Sequence, residues 1–444
     1  MNTRRRHELR ELMRDRDLRL LLVAQFLAQA ADGLAQAVFA DVLVLEPLNA
    51  GTPARILTLF AVTLLPYSLL SPFMGVLVDR WPRRHVLVWT NVIRGVMLLS
   101  LFAWSRALPG TSGLFAATLL LLGLGRMFLT TKGAVLPVLL HEHRLLRGNA
   151  VSGGGGMVAT LVGAVAGIGL VTIFPAEGAF AAAGAIYVGA AVTAGSISTS
   201  LAHGARDQVA FGAAVVAVGR DLIEGVRAIW RRAHARLPLL SIFLLRTLAM
   251  FVAISAILII KNTFGEGERI GRLSSSALAL GAAGVGAFIG ALTAPAAGNR
   301  LERGGLMLFG FAISSAGIVA LGGIVNIYAV MALTFLGGYG GFVTKVAVDA
   351  AVQEALPDHY RGRAFALYDI LYNAASVVAG ALMVAFYDAT DPEGLRILLI
   401  VAGFVGLFLT AVLATAFRRA GIPLNRGEAQ QLQHQALSRQ GLGS

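Results

Sequence analysis

The 444-residue sequence contains no cysteine. That excludes disulfides, thiolate nucleophiles and cysteine-held metals. Charge is also scarce: 14% of residues are Asp, Glu, Lys or Arg, where a soluble domain carries about 25%. With 57% hydrophobic residues and a mean hydropathy of +0.73, too little polar surface exists to coat a soluble globule of this length. Histidine is confined to loops and tails. The nearest approach to a ligand pair, His141-Glu142-His143, has no third ligand at a helical or finger spacing and reads as a solvated loop. No nucleophile–base pair, phosphate loop or metal cluster is evident, so an enzyme is not expected and no cofactor is called for. The formal charge of +13 raises nucleic acid as a partner, but no basic stretch is interleaved with aromatics as a stacking platform requires.

What the chain has instead is long apolar blocks. A crossing of a hydrocarbon core about 30 Å thick takes about 20 residues at 1.5 Å each. Blocks of that length fall near 19–45, 54–78, 86–105, 113–136, 149–174, 178–200, 238–261, 275–297, 305–325, 327–351, 363–387 and 395–417. They are continuously apolar, not alternating, which favours helices over a barrel. The expected fold class is therefore an all-α polytopic membrane protein with about twelve transmembrane helices. With the N-terminus inside, the inner segments hold about 26 of the 37 Lys and Arg residues, a strong positive-inside bias. The outer join at 388–394 carries Asp388, Asp391 and Glu393. An inner (cytoplasmic) membrane location with both termini cytoplasmic follows as the expectation. The basic run from Arg4 to Arg16 precedes an apolar block too long for a signal peptide, and reads as a tail on anionic lipid headgroups.

The middle join divides the chain. Val215, Val218, Leu222, Val226 and Ile229 share one helical face, and Arg220, Arg227 and Arg231 another, the pattern of a helix lying on the membrane surface. The predicted organisation is an N-terminal six-helix half with its basic tail (1–200), a cytoplasmic linker (201–237), a C-terminal six-helix half (238–419) and a Gln-rich, disordered tail (420–444). A repeat supports the two halves. The fourth span reads Phe128-Leu129-Thr130-Thr131-Lys132 with Arg147-Gly148 beyond, and the tenth reads Gly341-Phe342-Val343-Thr344-Lys345 with Arg361-Gly362 beyond. A six-span unit used twice is a transporter architecture, with the substrate site expected near the midplane between the halves.

The join after the second span reads Gly75-Val76-Leu77-Val78-Asp79-Arg80-Trp81-Pro82-Arg83-Arg84. It closely resembles the signature of the major facilitator superfamily at the same place, with Pro82 where a glycine usually stands. A weaker copy follows the eighth span as Asn299-Arg300-Leu301-Glu302-Arg303, where Asn299 replaces the acid. Two further stretches, Leu136-Pro137 through Asn149-Ala150 and Gln353-Glu354-Ala355-Leu356-Pro357-Asp358 through Arg363-Ala364-Phe365, resemble the bacterial exporter branch that includes enterobactin and macrolide efflux proteins. The Gly-Pro pair of the antiporter signature is absent from the fifth span, where Gly153 to Gly156, Gly163 and Gly167 suit close helix packing. The resemblance implies a major facilitator fold that alternates between inward- and outward-facing states. It implies an inner gate of Gly75, Asp79, Arg80, Arg83, Arg84, Asn299, Arg300 and Arg303, with Asp79 meeting the start of the eleventh span at Arg361 and Arg363.

Ionisable groups inside the spans are costly unless paired or watered. Gln25, Gln29, Asp32 and Gln36 lie on one face of the first span, and a polar stripe should face a cavity. Asp32 reads either as a proton carrier or as a carboxylate tied to an arginine for packing. Its candidate partners are Arg94 and Arg126. Lys132, Arg246 and Lys345 lie toward the inside, as cavity cations or as lysines reaching the headgroups. Lys345 and Asp349 are spaced to pair, and Asp369, Tyr372 and Asn373 form a second polar group. The favoured function is proton-coupled efflux of a small amphipathic compound by a monomer in contact with membrane lipids. A dry cavity favours the protonated carboxyl of Asp32, and water or an arginine favours the ionised one. The alternatives are a lysophospholipid or other lipid transporter, and a non-transporting scaffold or sensor.

The topology is directly testable, because the chain has no native cysteine. A cysteine at Glu393 should react with an impermeant thiol reagent in intact cells, and one at Ala202 should not. The reverse pattern would invert the topology.

Overall fold

The structure is a computed structural model. It describes residues 14–40, 81–104, 111–140, 142–198, 211–260, 269–270, 273–298, 300–324, 326–355, 358–387 and 392–431, with isolated positions between 54 and 73. The described chain is helical: α1 (Arg16–Ala40), α2 (Arg83–Trp104), α3 (Thr111–Leu139), α4 (Glu142–Ile173), α5 (Ala176–Gly195), α6 (Phe211–Arg231), α7 (Ala233–Ile259), α8 (Ser275–Ala297), α9 (Arg303–Leu321), α10 (Ile327–Ala355), α11 (Asp358–Phe386) and α12 (Pro392–Arg419). A two-residue hairpin, β1 (Arg269–Ile270) and β2 (Leu273–Ser274), precedes α8. Among the described residues, ten of these helices are long and apolar enough to cross a membrane. The 22-residue α2 reaches about 33 Å at 1.5 Å per residue and matches that length too. The second predicted span lies mostly outside the described residues.

Two compact units emerge, one of residues 1–49 and 66–219, the other of 50–65 and 220–444. The boundary differs from the predicted 1–200 half, because residues 50–65 group with the second unit. There Leu57 lies against Gly380, where an added Cβ would sit 3.1 Å from the Leu57 backbone. The linker boundary also shifts. The sequence places the start of the seventh span at Pro238, yet α7 begins at Ala233. Proline this close to a helix start forfeits a single backbone hydrogen bond, so the helix runs through it.

In the first unit α1 packs on α4 and α5, and α2 packs on α5 and α3. The α1–α4 contact is backbone to backbone. A Cβ on Gly33 would lie 2.0 Å from the Thr160 carbonyl oxygen, and one on Gly163 would lie 1.9 Å from that of Ala30. The second unit repeats the device between α8 and α10: a Cβ on Gly286 would meet the Phe335 carbonyl oxygen at 2.1 Å, and one on Gly338 that of Ala283 at 2.1 Å. Glycine is required at these four positions because only hydrogen fits between the helices. Large apolar side chains on the outer faces remain exposed, such as Ile397, Val401, Phe404 and Phe408 along α12. Their i, i+4, i+7, i+11 spacing makes one stripe, suited to hydrocarbon and not to water.

The amphipathic linker helix forms as α6, with a different division of its faces. Ile229 is buried in the core of the second unit with Ala235, Leu237 and Phe417. Val226, assigned by sequence to the same face, is exposed with Val216, Ile223 and Trp230. The helix therefore has one apolar side on protein and a second one open beside Arg220, Arg227 and Arg231.

The tail after Arg419 departs further from expectation. Gly421 adopts φ 71°, the left-handed turn that glycine accepts without strain. The chain then doubles back across the start of α9. Glu302 N donates to Leu424 O at 3.1 Å, Leu301 bridges Asn425, and Arg426 Nη2 donates to Gly298 O at 3.3 Å. Gly304 and Gly305 admit it: a Cβ on Gly305 would be 2.0 Å from Leu424 O. Residues 420–431 are thus ordered against the second unit, and 432–444 lie outside the described residues. Composition suggested disorder because the segment has few apolar residues. Its order comes from backbone hydrogen bonds and from Ile422 and Leu424, which join the core.

The glycine contact yields a paired prediction. Gly163→Val should destabilise the first unit by about 1–3 kcal/mol or more, lowering Tm by several degrees in detergent. Gly153→Ala, with nothing within 4 Å of its Cβ, should leave Tm unchanged or slightly raised. Equal behaviour of the two would show that the α1–α4 approach is not tight.

Candidate functional site

The first unit contains a closed ionic cluster. Asp32, near the middle of α1, accepts hydrogen bonds at Oδ1 from Arg94 Nη1 (2.8 Å) and Tyr187 Oη (2.5 Å). Arg94 on α2 is fully buried, while the Asp32 side chain retains 13% exposure. The guanidinium is held on every side. Nε donates to Thr90 O at 3.1 Å and Nη2 to Asn91 Oδ1 at 2.7 Å. The Tyr187 ring lies 4.4 Å away and the Phe128 ring 5.5 Å. Asn91 is itself fixed by donating to Leu87 O at 2.8 Å. Gly125 on α3 leaves room, since a Cβ there would stand 3.3 Å from Arg94 Nη1 and 3.5 Å from Asp32 Oδ1. Of the two arginines that sequence offered Asp32, Arg94 is bonded to it. Arg126 is half-buried on α3. Sequence reading missed Asn91, Thr90 and Tyr187. The first two lie three and four residues before Arg94 on the same helix face, a legible spacing. Tyr187 is 155 positions from Asp32 and carries no local signal.

A second network lies one to two turns toward the N-terminal end of α1. Gln25 Nε2 donates to Gln29 Oε1 (2.6 Å) and to Ser152 O (2.8 Å), and Ser152 Oγ donates to Gln25 Oε1 (2.7 Å). Lys132 Nζ donates to Ser152 Oγ at 2.8 Å. The predicted polar stripe thus splits: Gln25 is buried, Gln29 and Asp32 are half-buried, and Gln36 is exposed. Gly156 makes the space, as a Cβ there would sit 2.0 Å from Gln29 Oε1.

The second unit carries the remaining charges. Lys345 Nζ holds Asp349 Oδ2 at 2.6 Å, one helical turn along α10. The Lys345 ammonium lies 5.5 Å from the Tyr368 ring, and the Arg246 guanidinium 4.3 Å from the Tyr372 ring. These two rings stack at 5.8 Å with planes 13° apart. Asn373 Nδ2 donates to Asp369 O at 2.9 Å. The repeated Thr-Lys pairs diverge in chemistry. Thr131 and Thr344 are both buried and satisfied by carbonyls. Lys345 faces a carboxylate, and Lys132 a serine hydroxyl.

Part of the predicted inner gate is described. Arg83 Nη1 donates to Ala134 O on α3 at 3.1 Å, and Arg84 donates to Gly195 O at the end of α5. These bonds tie the N-terminal end of α2 to two neighbours. In the second unit Arg303 pairs with Glu354 near the end of α10, and Arg300 is exposed. Gly75, Asp79, Arg80 and Asn299, and the side chains of Arg361 and Arg363, lie outside the described residues.

With this geometry in hand, comparison with known proteins is informative. The family model described as Major Facilitator Superfamily matches residues 21–303 and 239–440. An uncharacterized MFS-type transporter of Mycobacterium tuberculosis is 30% identical over 377 residues, covering 82% of this chain and 84% of the relative. A Bacillus amyloliquefaciens protein named as a candidate bacilysin exporter, BacE, is 27% identical over 347 residues, covering 76% and 81%. Among solved structures, a bacterial homolog of the human lysosomal transporter Spinster superposes with a TM-score of 0.64 at 12% identity, covering 91% of this chain and 98% of that one.

The buried pair has a measurable signature. Arg94→Met or Asp32→Asn alone strands the other partner, and should cost about 3–5 kcal/mol. The double variant should cost less than the sum of the two. Chemical denaturation of all four proteins gives the coupling energy, and strict additivity would mean that the pair is not coupled.

Proposed function

The chain belongs to the Major Facilitator Superfamily and is a multi-pass membrane transporter, not an enzyme; from that premise we propose that it exports a small amphipathic compound in exchange for protons. The observation that carries this reading is the Asp32 cluster. A carboxylate that keeps some exposure is joined to an arginine that keeps none, deep in the spans where water is scarce. Ionised Asp32 binds Arg94 and Tyr187. A proton on Asp32 removes the charge that Arg94 is paired with, so proton binding and repacking of α1 against α2 and α5 are one event. Alternating access then couples that event to movement of the cargo. The likeness to a relative named for export favours the outward direction. The positive-inside bias supports an inner-membrane protein with cytoplasmic termini, acting as a monomer among membrane lipids.

The stability and coupling roles of Asp32 separate in one experiment. Proteoliposomes are screened over a compound panel with and without an imposed pH gradient. Asp32→Asn and the double variant Asp32→Asn/Arg94→Met should both lose gradient-driven transport, at least tenfold, while the double variant remains folded and exchanges substrate at equilibrium. Full gradient-driven transport by either variant would remove Asp32 from the coupling step.

A further inference from the structure

Two arginines lie deep in the membrane-crossing helices, each beside a tyrosine ring, and they differ in what they hold. Arg94 donates from all three of its nitrogens. Arg246 stands midway along α7 (Ala233–Ile259) with its guanidinium over Tyr372. Its Nε is shielded from solvent and has no hydrogen-bond partner among the described residues. A complementary orphan lies in the same cluster. Asp349 Oδ2 holds Lys345, while Asp349 Oδ1 is shielded and unpartnered among the described residues. Arg246 Nε and Asp349 Oδ1, both unpartnered among the described residues, thus lie beside one stacked tyrosine pair: the guanidinium over Tyr372, and Asp349 bound to the Lys345 that faces Tyr368. Folded proteins rarely leave such atoms empty unless a ligand or water meets them. The charges are also unequal in their needs. Asp349 neutralises Lys345, whereas Arg246 has no carboxylate partner among the described residues.

We propose that this cluster recognises an organic anion. Arg246 takes a carboxylate through Nε and an adjacent Nη, the two-point contact that a guanidinium offers and an ammonium does not. Tyr372 and Tyr368 flank the body of the ligand, and Asp349 Oδ1 accepts a hydrogen bond from a donor at its other end. This names the substrate class of the transporter proposed above and rests on that reading only for the ligand being cargo. Binding at equilibrium needs no gradient and does not involve Asp32.

The test is thermal stability of the protein in lipid nanodiscs with a matched set of probes at millimolar concentration: 4-aminophenylacetate, phenylacetate and 4-aminophenylacetamide. The two carboxylates should raise Tm, the amino-carboxylate most, and the amide should not. Arg246→Gln should abolish the response to both carboxylates. It should also leave the unliganded Tm equal or higher, because a shielded donor without a partner among the described residues has been removed, whereas a purely structural arginine would lower it. Asp349→Asn should weaken binding of 4-aminophenylacetate relative to phenylacetate. Arg396→Gln, an exposed change outside the cluster, should respond as the parent does. Equal stabilisation by the amide, an undiminished response in Arg246→Gln, or no response to either carboxylate would each overturn the proposal, leaving water as the partner of the orphan atoms. Those failures leave gradient-driven transport through Asp32 intact, so the two readings fail separately.

Discussion

In the hydrocarbon core no water is available to meet a polar group, and every other feature of this protein follows from that shortage. The backbone satisfies itself as helix. Hydroxyls in the helices turn back to carbonyls four residues earlier, as Thr90 does to Val86, Ser241 to Leu237 and Ser255 to Phe251. Charges must find one another, along a helix as Lys345 and Asp349 do or across helices as Asp32 and Arg94 do. The Asp32–Arg94–Tyr187 cluster is the fullest case, because it brings α1, α2 and α5 to one point and leaves no guanidinium nitrogen unused.

Such a cluster needs helices closer than ordinary side chains allow. Glycine at Gly33 and Gly163 lets α1 and α4 touch backbone to backbone. That contact sets the face of α1 that looks toward α2 and α5. Gly156 and Gly125 then open the spaces filled by Gln29, Asp32 and Arg94. Between lipid-exposed helices apolar burial provides little drive, since lipid is as apolar as leucine, so close van der Waals contact and internal hydrogen bonds carry the packing. The same residue class therefore supports the fold and positions the polar groups.

The two units share a plan and diverge in electrostatics. Their fourth and tenth spans carry Thr-Lys at corresponding places, yet Lys345 is neutralised within its own helix and Lys132 donates to the Ser152 hydroxyl of α4. The second unit also carries the return of residues 420–431 over the start of α9. The start of α9 is fastened there by backbone hydrogen bonds to the returning chain and by the Arg303–Glu354 pair.

Some of this was legible in the one-dimensional pattern. About twenty apolar residues per crossing is a local requirement, so the helical membrane class and most helix positions follow from hydropathy alone. The i, i+4 pairing of Lys345 with Asp349 and the helical character of α6 are equally local. The motif at 75–84 and its resemblance to the family were local as well. Tertiary structure decided what lies across helices: that Asp32 meets Arg94, 62 positions away, and Tyr187, 155 away; that Ile229 of α6 turns into protein while Val226 stays exposed; that the polar tail folds back; and that Arg246 is left with an open Nε. Helical periodicity says which residues share a face. It does not say which faces meet, because that depends on glycine contacts and side-chain volumes summed over the whole packed unit.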